Sequence, residues 1–179
     1  MPKEKIVQIE LGTAVIESIV SFSRADLLPV SDIANVMCHI SNAELRQTIA
    51  EAVYGARWIY KLGLVLLVKD DELLAHARAQ IMEYGAACEA ILSDMLNQHK
   101  STIVNDTFYN KINMCHGARI INYSLKSRLH NLRKWRNEAH MVIRNVYRFI
   151  ESSKQSFDIL RDTVSATRAW KGLPPAILK

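Results

Sequence analysis

Three residues in the C-terminal half of the chain have types and spacing suited to phosphodiester chemistry: Arg133, Asn137 and His140. On a helix, offsets of four and seven bring them onto one face. Imidazole exchanges a proton near neutral pH. A guanidinium grips two phosphate oxygens by parallel hydrogen bonds and stabilises charge that develops in a transition state. An amide can orient either group. Lys126, His130, Arg144 and Tyr147 continue the same four–three row. On spacing alone, a solvated basic helix face accounts for these residues equally well.

Charge sharpens the picture. The 179 residues carry 23 Lys/Arg and 18 Asp/Glu, a formal net of +5. Residues 1–100 hold 9 basic and 13 acidic residues, whereas residues 101–179 hold 14 and 5. From Arg119 to Arg148 eight basic residues meet one acid, Glu138. Such a face suits a polyanion or an acidic protein. With 49% apolar and 23% charged residues the composition is that of a globular domain and excludes a wholly disordered or collagenous chain. The longest apolar run, Leu62 to Val68, is closed by Lys61 and Lys69. It falls well short of the roughly 20 residues that span a bilayer, so no membrane partner is expected. The opening MPKEKIVQIELG lacks a secretory signal pattern, and the expected location is cytoplasmic. Cys38, Cys88 and Cys115 are odd in number, far apart and without a Cys-x-x-Cys, so neither a disulfide framework, a metal nor a cofactor is expected. Trp58, Trp135 and Trp170 read as packing or interface residues.

The elements that must position these groups are helical. All four prolines lie at positions 2, 29, 174 and 175, and there are only six glycines, too little punctuation for a sheet. The periodicity predicts helices over Ile6–Arg24, Asp32–His39, about 42–69, 70–98 and Phe108–Cys115, the last ended by Gly117. Ser41 and Glu44 read as a capping box for the third, and Asp70-Asp71-Glu72 as the acidic start of the fourth. From Leu125 to Val164 one apolar stripe alternates steps of four and three, interrupted only by Arg136 and Ser153. One helix of that length would reach about 60 Å. A break is therefore expected near Arg136–His140 or at Ser152-Ser153, and the stripe offers more apolar length than one bundle can bury, which predicts an isologous dimer. Arg136 falls in the stripe itself and needs an acidic partner on another helix. Glu83 and Glu89 are candidates to orient Arg133.

The stretch Leu129-His-Asn-Leu-Arg133-Lys-Trp-Arg-Asn137-Glu-Ala-His140 resembles the signature of the HEPN superfamily of helical nucleotide-binding and ribonuclease domains: Arg, four to six residues, then His, with Asn in the gap. Ala77–Leu92, with its Glu89-Ala-Ile run, resembles the long helix of that family, and Phe108–Ile112 its linking segment. The resemblance covers roughly residues 42–165. It implies an all-α bundle of four to five main helices, with residues 1–41 as an N-terminal helical extension, 42–170 as the HEPN-like bundle and 171–179 as a flexible tail. It further implies a homodimer and metal-independent RNA cleavage in a toxin, defence or RNA-stress role, with a regulatory protein or antitoxin as a possible partner. Carried over, His140 moves the proton, Arg133 stabilises the phosphorane and Asn137 positions either. Lys126, His130, Arg136 and Arg144 become candidate RNA contacts. Val142 stands where some family toxins carry a modifiable Tyr, so modification by a nucleotidyltransferase partner is not implied. Two other readings stay open: a HEPN module that binds without cleaving, and a helical interaction domain whose basic face meets an acidic protein.

Overall fold

The structure, a computed structural model, describes residues 13–101, 105–140 and 146–178, without the side chains of residues 70, 140, 146 and 147. Among the described residues there are seven helices and no strand: α1 (Thr13–Arg24), α2 (Val30–Val36), α3 (Ala43–Val65), α4 (Asp70–Gln98), α5 (Phe108–Gly117), α6 (Tyr123–His140) and α7 (Val146–Trp170). The all-α expectation holds. None of these helices is long and apolar enough to cross a membrane.

α4 is the axis of the bundle. Its 29 residues run about 43 Å, and it packs against α3, α5, α6 and α7. Ile81, Tyr84, Cys88, Ile91, Leu92, Met95 and Leu96 are among its fully buried side chains. They meet Leu129 and Leu132 of α6 and Ile159, Leu160 and Val164 of α7 in one core. Tyr84 lies against Phe157, and Cys88 donates to Thr163, so α4 and α7 run parallel. Ion pairs from Arg128 to Asp162 and from Arg148 to Glu138 show that α6 and α7 run antiparallel.

The expected interruption of the stripe falls at the first of the two sites, where α6 ends at His140. The two helices end and begin on either side of residues 141–145, which lie outside the described residues. The stripe folds back on itself, and Leu125, Leu129, Leu132, Leu160 and Val164 are all buried within one chain. Ala139, Ile150 and Phe157 of the same stripe are half-buried, and the side chains of Ile143 and Val146 lie outside the described part. Ser152-Ser153 is not a break: α7 runs through it. Ser153 and Ser156 hand their hydroxyl protons to the carbonyls of Ile150 and Ser152, at 2.9 and 2.6 Å. Thr163 does the same to Ile159 at 2.7 Å. Buried hydroxyls satisfied inside their own helix leave a small-residue surface on which α4 can lie.

Caps also shift. Asn42, not Ser41, caps α3, its side chain accepting from the Leu45 amide at 3.0 Å. Ser41 is turned to α4, where its amide and hydroxyl both donate to Asp94 at 3.0 and 2.6 Å. α5 ends at Gly117, as expected, but Gly117 does not supply the left-handed turn that closes it. The helix closes with Arg119 at φ 57°, while the Ile120 amide returns to the Cys115 carbonyl at 2.9 Å. That is a Schellman closure with a left-handed arginine in the place usually given to glycine.

Residues 30–41 and 171–178 pack on the bundle. Ile33, Met37 and Ile40 are core residues, and Leu178 is buried. Arg168 holds both ends, donating to the Pro174 carbonyl at 3.0 Å and to the Val36 carbonyl at 2.6 Å. α1 is the more peripheral element. Val15, Ile16, Val20 and Phe22 remain exposed, and α1 is fixed to α3 through Trp58, which donates to Ser23 at 3.3 Å.

His39 is buried in the α2–α7 corner with Nε2 2.9 Å from the Thr167 hydroxyl. That hydroxyl spends its one proton on the Thr163 carbonyl at 2.7 Å. It therefore accepts from His39 Nε2–H, and the imidazole is neutral with its lone pair on Nδ1. Burial, reinforced by Arg168, pulls the His39 pKa down to about 4. In the unfolded chain it titrates near 6.5, so between these values the unfolded state binds more protons. Stability from this group is complete above pH 6.5 and is lost as pH falls towards 4, by on the order of 3 kcal/mol. Urea denaturation at pH 7.5 and 4.5 measures the loss. The His39→Gln variant is expected to lose less stability across this window, and equal losses would assign the acid sensitivity to other groups.

Candidate functional site

α6 begins with Asn122 accepting from the Leu125 amide at 2.8 Å. Its core face is Leu125, Leu129 and Leu132, followed one turn later by Arg136. Arg136 reaches across to α4 and forms an ion pair with Glu89. The approach is close because α4 carries Gly85 there: a Cβ at that position would sit 2.9 Å from Arg136 Cδ. Glu89 also accepts from Lys111 Nζ at 3.2 Å, and Lys111 pairs with Asp106 at 2.7 Å. Burial pulls the Lys111 pKa down, but hydrogen bonds to Asp106 and Glu89 outweigh it and hold the ammonium above its ordinary value. The arginine in the apolar stripe thus finds the acidic partner the sequence demanded. Glu89 serves Arg136 rather than Arg133, and Glu83 is exposed.

With Arg136 anchored, Arg133 and Asn137 are turned towards α5. They line a cavity of about 270 Å³ together with Glu89, Arg136 and the first residues of α5, Thr107, Phe108 and Tyr109. Thr107 caps α5, accepting from the Asn110 amide at 3.3 Å, and no acid occupies the first turn of that helix. Phe108 packs into the core while Tyr109 is 51% exposed. The Arg133 guanidinium lies over the Tyr109 ring, 5.3 Å from its centroid. The His130 ring lies 5.0 Å from the same ring. Arg133 Nε and His130 Nδ1 are buried and find no hydrogen-bond partner among the described residues. Among those residues no carboxylate forms an ion pair with Arg133. Burial, then Arg133, Lys126 and Lys134, holds the His130 pKa below its ordinary value.

The structure therefore brings Arg133, Arg136 and Asn137 to one cavity. His130 lies at its flank, and Lys126 stands one turn before His130. His140 is the last residue of α6, and its side chain lies outside the described part. Arg144 lies outside the described residues altogether. Tyr109 and Thr107 were not legible as site residues. The available signal was the pair Phe108-Tyr109 after a capping Thr, since neighbouring helical positions point in different directions and one aromatic must face outward. Trp135 and Trp170 pack against the core, as expected. Cys88 and Cys115 are buried, and burial pushes each thiol up to about 12. A wider cavity, about 690 Å³, lies at the other end of α6, between His116–Asn122 and the end of α7.

Comparisons with protein-family models, with curated proteins and with solved structures found no match.

The Arg136–Glu89 pair makes a stability prediction. Replacing Glu89 by Gln leaves a half-buried guanidinium without its counter-charge and weakens the hold on Lys111. Hydrogen bonds to charged groups are worth about 1.5–3 kcal/mol, and a loss of about that size is expected in urea denaturation. A loss under about 0.5 kcal/mol would mean that α6 is placed by its leucines alone.

Proposed function

We propose that the chain is a metal-independent endoribonuclease of HEPN type, with Arg133, Asn137 and His140 as its catalytic residues. The observation that carries this reading is the Arg133 guanidinium, stacked on a half-exposed tyrosine at a small polar cavity, with no carboxylate partner among the described residues. Arg136 is held by the Glu89 carboxylate and Arg168 by two backbone carbonyls. An arginine that instead lies against an aromatic ring offers its planar fork to a phosphate and its stacked partner to a base.

In this mechanism the ribose 2′-oxygen attacks phosphorus while the bond from phosphorus to the 5′-oxygen breaks. The His140 imidazole takes the proton from the 2′-hydroxyl and delivers it to the departing 5′-oxygen. Arg133 stabilises the phosphorane charge, and Asn137 orients the phosphate. The products are a 2′,3′-cyclic phosphate and a 5′-hydroxyl. The nucleophile belongs to the RNA itself, so no metal-bound hydroxide is called for. Support for His140 is its register on α6, seven residues after Arg133, together with the family resemblance. The shared cleft of a homodimer, the toxin or defence role and a regulatory partner rest on the resemblance alone.

Labelled RNA incubated with the protein in EDTA tests the proposal. Cleavage is expected to leave cyclic phosphate ends. His140→Ala and Arg133→Ala should each cost at least about 100-fold, and a 2′-deoxy sugar at the cut site should block the reaction. Arg133→Lys should also be poor, because ammonium lacks the two-pronged contact. Equal cleavage by His140→Ala and the parent would overturn the assignment. Binding without any cleavage would leave the non-catalytic module.

A further inference from the structure

α5 and α6 form an antiparallel hairpin whose outer face repeats every seven residues. Tyr109 faces His130, with ring centroids 5.0 Å apart, and His116 faces Tyr123 at 6.2 Å. Both helices advance seven residues between the two ring pairs, about 10 Å along the axis. Lys126 and Arg133 share the same period on α6. From Thr107 to Asn137 the sequence has seven Lys/Arg and no Asp or Glu. Tyr123 is 74% exposed and Tyr109 51%. Neither ring is needed to fill the core. Beyond Tyr123 the face opens into the 690 Å³ groove that Trp170 closes.

We infer that the outer face of the α5/α6 hairpin is a stacking track for single-stranded RNA, running from the Arg133 cavity past Lys126 to Tyr123 and the groove beyond. The inference rests on the reading of the Arg133 cavity as the cleavage site. Aromatic and imidazole rings alternating with cations are what an unpaired strand needs, since every base has a π-face and every linkage a charge. A duplex buries its base faces and offers only phosphates and 2′-hydroxyls, which leaves both exposed tyrosines unused. The lowered pKa of His130 fits this role, because a neutral imidazole stacks on Tyr109 without adding charge. An acidic protein would satisfy Lys126 and Arg133 but has no call for the paired rings. Tyr123 lies ten residues from Arg133, about 15 Å along α6, beyond the reach of a dinucleotide seated in the cavity.

The experiment uses the full chain carrying His140→Ala, so that RNA is bound and not consumed, with a fluorescent twelve-nucleotide uridine strand and, separately, a duplex of equal length. The single strand is expected to bind at least about tenfold more tightly than the duplex. Adding Tyr123→Ala should weaken single-strand binding about tenfold, the loss of one stacked base, and leave duplex binding unchanged. Tyr123→Phe should retain affinity, since the ring and not the hydroxyl acts. The far-UV spectrum and Tm should be unaffected at so exposed a position. In the otherwise native chain, Tyr123→Ala should raise KM for the twelve-mer and leave cleavage of uridylyl-uridine unchanged. Duplex preference, no binding of either RNA, or indifference to Tyr123→Ala overturns the track. If the dinucleotide is cut while Tyr123 proves irrelevant, the track fails and the cleavage reading stands. If nothing is cut while the Tyr123 effect on binding persists, the cleavage reading fails and the track stands.

Discussion

The ion pair between Arg136 and Glu89 sets the rotation of α6 about its own axis. Arg136 is inserted among leucines, in a position that local pattern reserves for an apolar side chain, and a charge there is tolerated only with a carboxylate in reach. Glu89 supplies it, and Gly85, one turn earlier on α4, clears space for the arginine stem. Once that contact is made, the residues three before and one after Arg136 have little freedom. Arg133 and Asn137 must face α5. The capped start of α5 then completes the cavity with Thr107 and Tyr109, and Lys111 joins the same carboxylate from the other side. One glutamate thus ties α4, α5 and α6 together and leaves Arg133 as the cation it does not neutralise.

The opposite side of the bundle is organised by hydroxyls and backbone carbonyls instead of by charge. α7 lays Ser152, Ser153, Ser156, Thr163 and Thr167 into buried positions, and the protons of the last four go to carbonyls of the same helix. Asp94 collects Ser41 and Gln98, while Arg168 binds carbonyls at 36 and 174. This network is rigid and inward-facing. Most of its groups are spent on one another and on the backbone, His39 Nδ1 excepted, and on the α5/α6 side Arg133 Nε and His130 Nδ1 are likewise buried without partners among the described residues.

The two halves divide the labour. The acidic N-terminal part supplies the long α4 and the carboxylates that fix it to its neighbours, and the basic C-terminal part supplies a cationic face around α5 and α6. The charge asymmetry visible in the sequence is therefore partly internal, in Glu89 with Arg136, and partly without a carboxylate among the described residues, in Lys126 and Arg133.

Helix content, the end of α4 at Gln98, the Arg133–Asn137–His140 row and the polarity of charge all follow from the sequence, because 3.6 residues per turn fix which side chains share a face before any tertiary contact forms. The sequence even required a partner for Arg136. It offered Glu83 and Glu89 for Arg133, and only the packing of α6 against α4 gives Glu89 to Arg136. It offered Ser41 as the cap of α3, and the distant carboxylate of Asp94 claimed Ser41 and left the cap to Asn42. It marked a stripe of forty residues without saying that the stripe folds back on itself, since a heptad pattern is the same whether it meets another chain or its own continuation. Tyr109 stands beside Arg133 only because α5 and α6 close as a hairpin through a left-handed Arg119. Periodicity is local and survives in the sequence, whereas the choice of partner depends on residues tens of positions away and is made only when the helices pack.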